Sequence, residues 1–191
     1  MRTSHKARLY ALTRWIVPAG LGAALVLGPP AAPVAHADAD YGGGCVLYTG
    51  DRAATIDSLR FRCNPAQQDA LFRDASPGAV PMGVKNGWVI RPIDMQSWAP
   101  AVWIGKTFYT GPGGGYLMNR ITPAGIEGWP ADVYLGPALF DGGPAWVLDY
   151  RPSPSPQLYD EIREMTPGVW FGYSWSREAG GPAQLLTFAL A

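Results

Sequence analysis

The sequence predicts a mainly β protein: an antiparallel sheet curled into a barrel or half-barrel, with one or two short helices. Three observations point there. Gly and Pro are abundant, 24 and 19 residues of 191, and they cut the apolar stretches into short runs. Those runs are rich in Val, Ile, Leu and aromatic residues, which suit a pleated, half-buried surface. The separators carry turn chemistry, as in Gly111-Pro112, Gly136-Pro137, Asp141-Gly142-Gly143-Pro144, Pro167-Gly168 and Gly180-Gly181-Pro182, and Asp-Gly between two apolar runs signals a hairpin.

Taken in order, the chain begins with a segment of secretory type. It has a basic start (Arg2, Lys6, Arg8, Arg14), an apolar run over 15–27 and the small-residue pattern Ala35-His36-Ala37, so residues 1–37 read as a signal peptide cut after Ala37. The 154 residues that follow are enough for one domain with a single core. Residues 38–75 form an N-terminal segment with few apolar residues, and 76–191 form the barrel. Export places Cys45 and Cys63 where thiols oxidise, which predicts a disulfide pinning the first segment. Asn64 can cap a short helix with Pro65 at its first position, ended by Ser76-Pro77-Gly78. Seven strands are expected at 87–91, 101–109, 115–121, 132–135, 145–150, 168–175 and 184–190. A second helix is expected over 155–165, because Leu158, Ile162 and Met165 recur at i, i+4 and i+7 before Pro167-Gly168. Residues 152–156, Pro-Ser-Pro-Ser-Pro, read as a stiff connector.

Composition removes several function classes. Both histidines, His5 and His36, lie in the leader, so histidine general bases, Ser-His-Asp triads and histidine-held zinc or haem are closed to the exported chain. That chain carries eleven basic and fifteen acidic residues, a net charge of −4, with Lys85 and Lys106 its only lysines. No basic cluster offers a surface to nucleic acid. The run over 15–27 is too short for a comfortable membrane span, and no later segment competes with it. Gly111 to Gly115 lacks the Lys-Ser/Thr of a phosphate loop, and no carboxylate cluster suggests calcium. No cofactor is expected, and the localisation is secreted, either extracellular or in the cell envelope.

Trp103-Ile104-Gly105-Lys106-Thr107-Phe108 resembles the W-x-G-K-x-F signature of the bacterial GXWXG and DUF4334 proteins. Gly78 to Gly83 with Gly87-Trp88 upstream, and Asp149-Tyr150, Gly172 and Thr187 to Leu190 downstream, are similar to the order of that family's other features. The histidine and proline that often follow the block are replaced by Gly111 to Gly115. The resemblance implies a lipocalin-like (calycin) barrel of unestablished activity.

Candidate site residues follow from their surroundings. Gly105 between Trp103 and Lys106 lets another chain approach closely. Lys106 either binds a polar head group at a cavity mouth or snorkels along Trp103 into water, the ordinary behaviour of lysine. Asp149 ends an apolar strand and needs a partner. Pairing with Arg163 or Arg120 would make it structural, whereas a free Asp149 beside Tyr150 would make an acid and base for a small isomerase or lyase. Of Asn119 and Arg120, alternation sends one inward. Asp160, Glu161 and Glu164 read as a solvated helix face, with Asp160 and Arg163 spaced for a surface pair. Aromatics occupy both faces of 168–175, so one set can line a cavity or lie under a helix. The leading expectation is a small apolar ligand, a lipid or fatty acid, bound by Trp103, Lys106, Asn119, Arg120, Tyr150, Trp170 and Tyr173. The rivals are the Asp149 and Tyr150 enzyme, and an envelope or host-facing interaction protein with a filled barrel.

Overall fold

Eight antiparallel strands close into a barrel in a computed structural model that describes residues 38–191. The leader and its expected cleavage after Ala37 lie outside the described residues. A two-stranded ladder, β1 (Ala39–Asp40) with β2 (Val46–Leu47), comes first. Two helices follow, α1 (Arg52–Phe61) and α2 (Pro65–Asp74). The barrel is built from β3 (Gly83–Arg91), β4 (Trp103–Gly111), β5 (Gly114–Ile121), β6 (Ile126–Pro137), β7 (Pro144–Asp149), β8 (Leu158–Thr166), β9 (Val169–Glu178) and β10 (Gly181–Leu190). A one-turn helix α3 (Met95–Trp98) and a 3-10 turn (Ala99–Ala101) separate β3 from β4. Each strand pairs with the next, and β10 returns to pair with β3.

All seven expected strands are present, most of them longer than the apolar run that marked them. The helix expected over 155–165 is a correction: that stretch is β8. Leu158 and Ile162 are four apart, a spacing that fits one face of a helix and one face of a strand equally. The polar residues between them misled because they are buried rather than solvated, Asp160 and Glu161 being 4% and 0% exposed. The α2 helix is as expected, with Asn64 and Gln67 forming a capping box. Helices α1 and α3 went unforeseen, although Asp51 caps α1 by accepting from the Ala54 amide at 2.9 Å.

Two apolar layers hold the wall. Inside, Phe108, Leu117, Trp146, Leu148, Ile162, Trp170 and Leu190 fill one end of the barrel. The 77–82 segment crosses that end, where the Trp146 and Trp170 indoles donate to the Gly78 and Ala79 carbonyls. Outside, Ile56, Leu59, Leu71 and Phe72 of α1 and α2 pack on Ile90, Phe171, Tyr173 and Ala189 of β3, β9 and β10. The disulfide Cys45–Cys63 lies in this outer layer, so segment and barrel share one compact unit. Among the described residues no helix is long and apolar enough to cross a membrane.

Strands covered on both faces bury charge, and each charge has a partner. Arg163 on the outer face of β8 is 2% exposed; it grips both carboxylate oxygens of Asp141 and donates to the Phe72 and Pro144 carbonyls. Beside it, Glu161 accepts from the Leu139 and Phe140 amides. Together they fasten the β6–β7 hairpin to β8.

Breaking the disulfide by Cys45→Ser and Cys63→Ser, a sequence separation of 18, removes a cross-link worth about 3 kcal/mol; urea unfolding of the double variant reads the loss. A pH effect also follows. Burial lifts the Glu161 pKa from 4.5 to about 7 in spite of its two amide donors. The folded state therefore holds that proton more tightly than the unfolded chain, so this contribution is fully present below about pH 4.5 and lost as pH rises through about 7. Glu161→Gln should flatten the decline in urea midpoint across that window.

Candidate functional site

At the end of the barrel where β3, β5, β7 and β9 finish, the filling stops short. A cavity of about 230 Å³ opens there. Val89, Ile121, Leu158, Leu186 and Phe188 form its walls, with Met95, Trp98, Ala99 and Val102 of the β3–β4 connection to one side. Trp98, Val102 and Trp129 are large apolar residues exposed at this mouth. The polar lining groups are Lys106, Asn119, Tyr150, Asp160 and Ser174.

Four of these form one network. The Lys106 ammonium donates to Asn119 Oδ1 at 2.9 Å, to Asp160 Oδ2 at 3.0 Å and to the Tyr150 hydroxyl, which satisfies all three of its protons. Tyr150 in turn donates to Asp160 Oδ2 at 2.9 Å. Asn119 spends its amide protons on the Trp129 carbonyl and Tyr150, and its oxygen also accepts from the Trp103 indole at 3.0 Å. The Lys106–Asp160 pair is almost fully buried, with 3% and 6% of the side chains exposed. Burial pulls the Lys106 pKa down against the attraction of Asp160. Burial and the Asp160 charge push the Tyr150 phenol well above its usual value, so it stays protonated.

Two local irregularities aim these groups. The β4–β5 register slips between Trp103 and Gly105. One extra residue there puts Trp103 and Lys106, three apart, on the same inner face. Gly105 has φ +136°, and a Cβ on it would sit 2.0 Å from the Lys85 carbonyl oxygen. Only glycine lets β3 approach so closely, which is the role the sequence suggested for it. The second slip lies between Met118 and Asn119 on β5, opposite Trp129 of β6. Trp129 is left-handed at φ 48°, a costly conformation for a bulky residue, and it directs the carbonyl that Asn119 needs.

The expected ligand-binding set divides. Trp103, Lys106, Asn119 and Tyr150 line the cavity together. Arg120 is a correction: alternation turns Asn119 inward and Arg120 outward to Asn86, 3.2 Å away. Trp170 is another, because its ring belongs to the filled end. Tyr173 lies on the outer face beneath α2, with its hydroxyl on Asp69 at 2.7 Å. Lys106 does not snorkel, being 2% exposed. Asp149 pairs with Arg177 at 2.7 Å and Arg151 at 3.5 Å rather than with Arg163 or Arg120. Burial raises its pKa, but the hydrogen bonds and charges of Arg177 and Arg151 together outweigh that, leaving the carboxyl below its ordinary value. Alternation puts Asp149 and Tyr150 on opposite faces of the wall, so they do not form an acid–base pair.

Asp160 is the residue that sequence reasoning missed. A strand reading would have found it, since Leu158, Asp160 and Ile162 occupy one face at period two. Ser174, its register partner on β9, was hidden among aromatics in the same way. The cluster is neutral overall, presents hydrogen-bonding groups at the base of an apolar space, and contains an amine, a phenol and a carboxylate in mutual contact. Among the described residues no group of three or more His, Cys, Asp or Glu is placed to hold a metal ion.

Asp160→Asn strands the Lys106 ammonium without a counter-charge and should cost about 3–5 kcal/mol in urea unfolding at neutral pH. Removing both charges together, with Lys106→Met and Asp160→Leu, should restore most of that loss.

No family model matches the chain, and no curated protein matches it. Among solved structures it is similar to a protein from Thermomonospora curvata, with a TM-score of 0.50 and 18% identity over 73% of this chain and 95% of that one. At that identity the likeness supports the β-barrel fold alone.

Proposed function

We propose that the protein is an exported binding protein that takes one small, largely apolar molecule, with a neutral polar end, into the mouth of its barrel. The observation that carries this reading is the pairing of apolar walls with a hydrogen-bonding base made by Lys106, Asn119, Tyr150 and Asp160. Ligand sites are concave and mostly apolar, with a few converging polar groups that fix orientation.

Size and charge narrow the ligand. A volume of about 230 Å³ lies below the roughly 300–1,000 Å³ that drug-sized ligands occupy, so a ring system or short chain fits better than a long acyl chain. Asp160 already neutralises Lys106, and a fatty-acid carboxylate would meet a second carboxylate beside it. An alcohol or carbonyl group suits the site. The Cys45–Cys63 disulfide agrees with an oxidising compartment, and the secretory leader and lipocalin-like, GXWXG/DUF4334-type identity belong to the same proposal.

Titration of the full protein with 2-naphthylmethanol, followed by tryptophan fluorescence and native mass spectrometry, should show saturable one-to-one uptake. Dodecanoate should bind more weakly. Leu186→Trp, which fills the mouth, should abolish uptake while leaving the urea midpoint nearly unchanged. Absence of saturable binding by the intact protein sinks the reading.

A further inference from the structure

Lys106 is placed as a nucleophile as well as an anchor. We propose that its amine forms a covalent imine with a small apolar aldehyde held in the mouth cavity. This rests on the binding reading above and names the substrate class.

Imine formation asks for an amine that can lose its proton in a desolvated site, a base to take that proton, an acid to protonate the carbonyl oxygen, and room for the carbonyl compound. Each is present. Lys106 lines the cavity and is 2% exposed, with Trp103, Tyr150 and Phe188 rings 5.2–5.4 Å from its nitrogen. Asp160 Oδ2 lies 3.0 Å from Nζ to receive the proton. The Tyr150 hydroxyl touches both Nζ and Asp160, so it can protonate an oxygen on the carbon that Nζ attacks and regain the proton from Asp160. The lowered pKa of the amine eases its deprotonation, and the raised pKa of the phenol keeps a proton on Tyr150 for the oxygen that develops negative charge.

The atoms balance as follows. The ammonium passes one proton to Asp160, and the freed lone pair attacks the carbonyl carbon as the C=O π pair moves onto oxygen. Tyr150 protonates that oxygen and takes the proton back from Asp160, giving a carbinolamine still protonated on nitrogen. A second nitrogen proton travels through Asp160 and Tyr150 to the hydroxyl, the C–O bond breaks, and water leaves. Ammonium plus aldehyde has become iminium plus water, with no oxidant or reductant. The positive charge stays where it began, 3.0 Å from Asp160, so the cavity that stabilises the ammonium also stabilises the product.

The described chain supplies its own control, because Lys85 is its only other lysine and does not line the cavity. The full protein is treated with 2-naphthaldehyde and sodium cyanoborohydride, digested, and mapped by mass spectrometry, while 2-naphthylmethanol, which cannot form an imine, reports non-covalent binding. Trapping should saturate at one adduct on Lys106, proceed at least about tenfold faster there than at Lys85, and be blocked by excess 2-naphthylmethanol. Tyr150→Phe should slow it roughly a hundredfold, well beyond any loss of 2-naphthylmethanol affinity measured on the same variant. Lys106→Arg should give no adduct at that position. If 2-naphthylmethanol binds and blocks nothing, or Lys106 is trapped no faster than Lys85, the imine is refuted and the binding site stands. If neither compound binds saturably, both readings fall.

Discussion

The ladder between β10 and β3, running from Thr187 opposite Arg91 to Leu190 opposite Gly87, closes the sheet upon itself, and the remaining structure answers to that closure. A closed ring has no free edge and an interior wide enough only for side chains or one small ligand. Closure therefore divides every strand into inward and outward positions with different duties. At one end the inward positions are met by tryptophans and leucines that leave little room. At the other they are met by a lysine, an asparagine, a tyrosine and an aspartate, which cannot pack like hydrocarbon and must satisfy one another.

That mutual satisfaction explains the composition of the polar group. A lone ammonium in such a place would be prohibitively costly. With a carboxylate, an amide oxygen and a phenol around it, every proton of Lys106 has an acceptor, and the group is neutral as a whole. The indole of Trp103 and the strained carbonyl of Trp129 complete Asn119. The two register slips thus act on chemistry, for without them Trp103 would face away from Lys106 and the Trp129 carbonyl would lack its present direction.

Sequence reading reached the strands because Gly and Pro punctuation and β-forming composition are local properties. It reached the disulfide because the secretory reading of residues 1–37 implied an oxidising compartment. It failed at 155–165, where four charged residues suggested solvent; Asp160, Glu161, Arg163 and Glu164 all find partners within the protein, and no local pattern announces a partner that is distant in sequence. The same blindness hid Asp160 from the site and misassigned the partner of Asp149. Lys106 was legible as a candidate because it follows Trp103 and Gly105 in a strand, and Asn119 because it interrupts a strand-like run. Arg120 was included with Asn119 because alternation selects a face only once the register is known.

The helices α1 and α2 cover only part of the wall. Outside β4, β5 and β6, Tyr109 and Tyr116 stack on each other in the open, and Tyr134 and Leu135 are exposed as well. The covered strands are committed on both faces, so a change at one of their outer positions disturbs the helices, the disulfide layer or the hairpin clasp. The bare strands carry no such obligation, yet they deliver Lys106, Asn119, Ile121 and Trp129 to the cavity. Lineages diverging from this architecture have one wall to conserve as foundation and another to revise, and new ligand preferences are most accessible from the side that no other described residues cover.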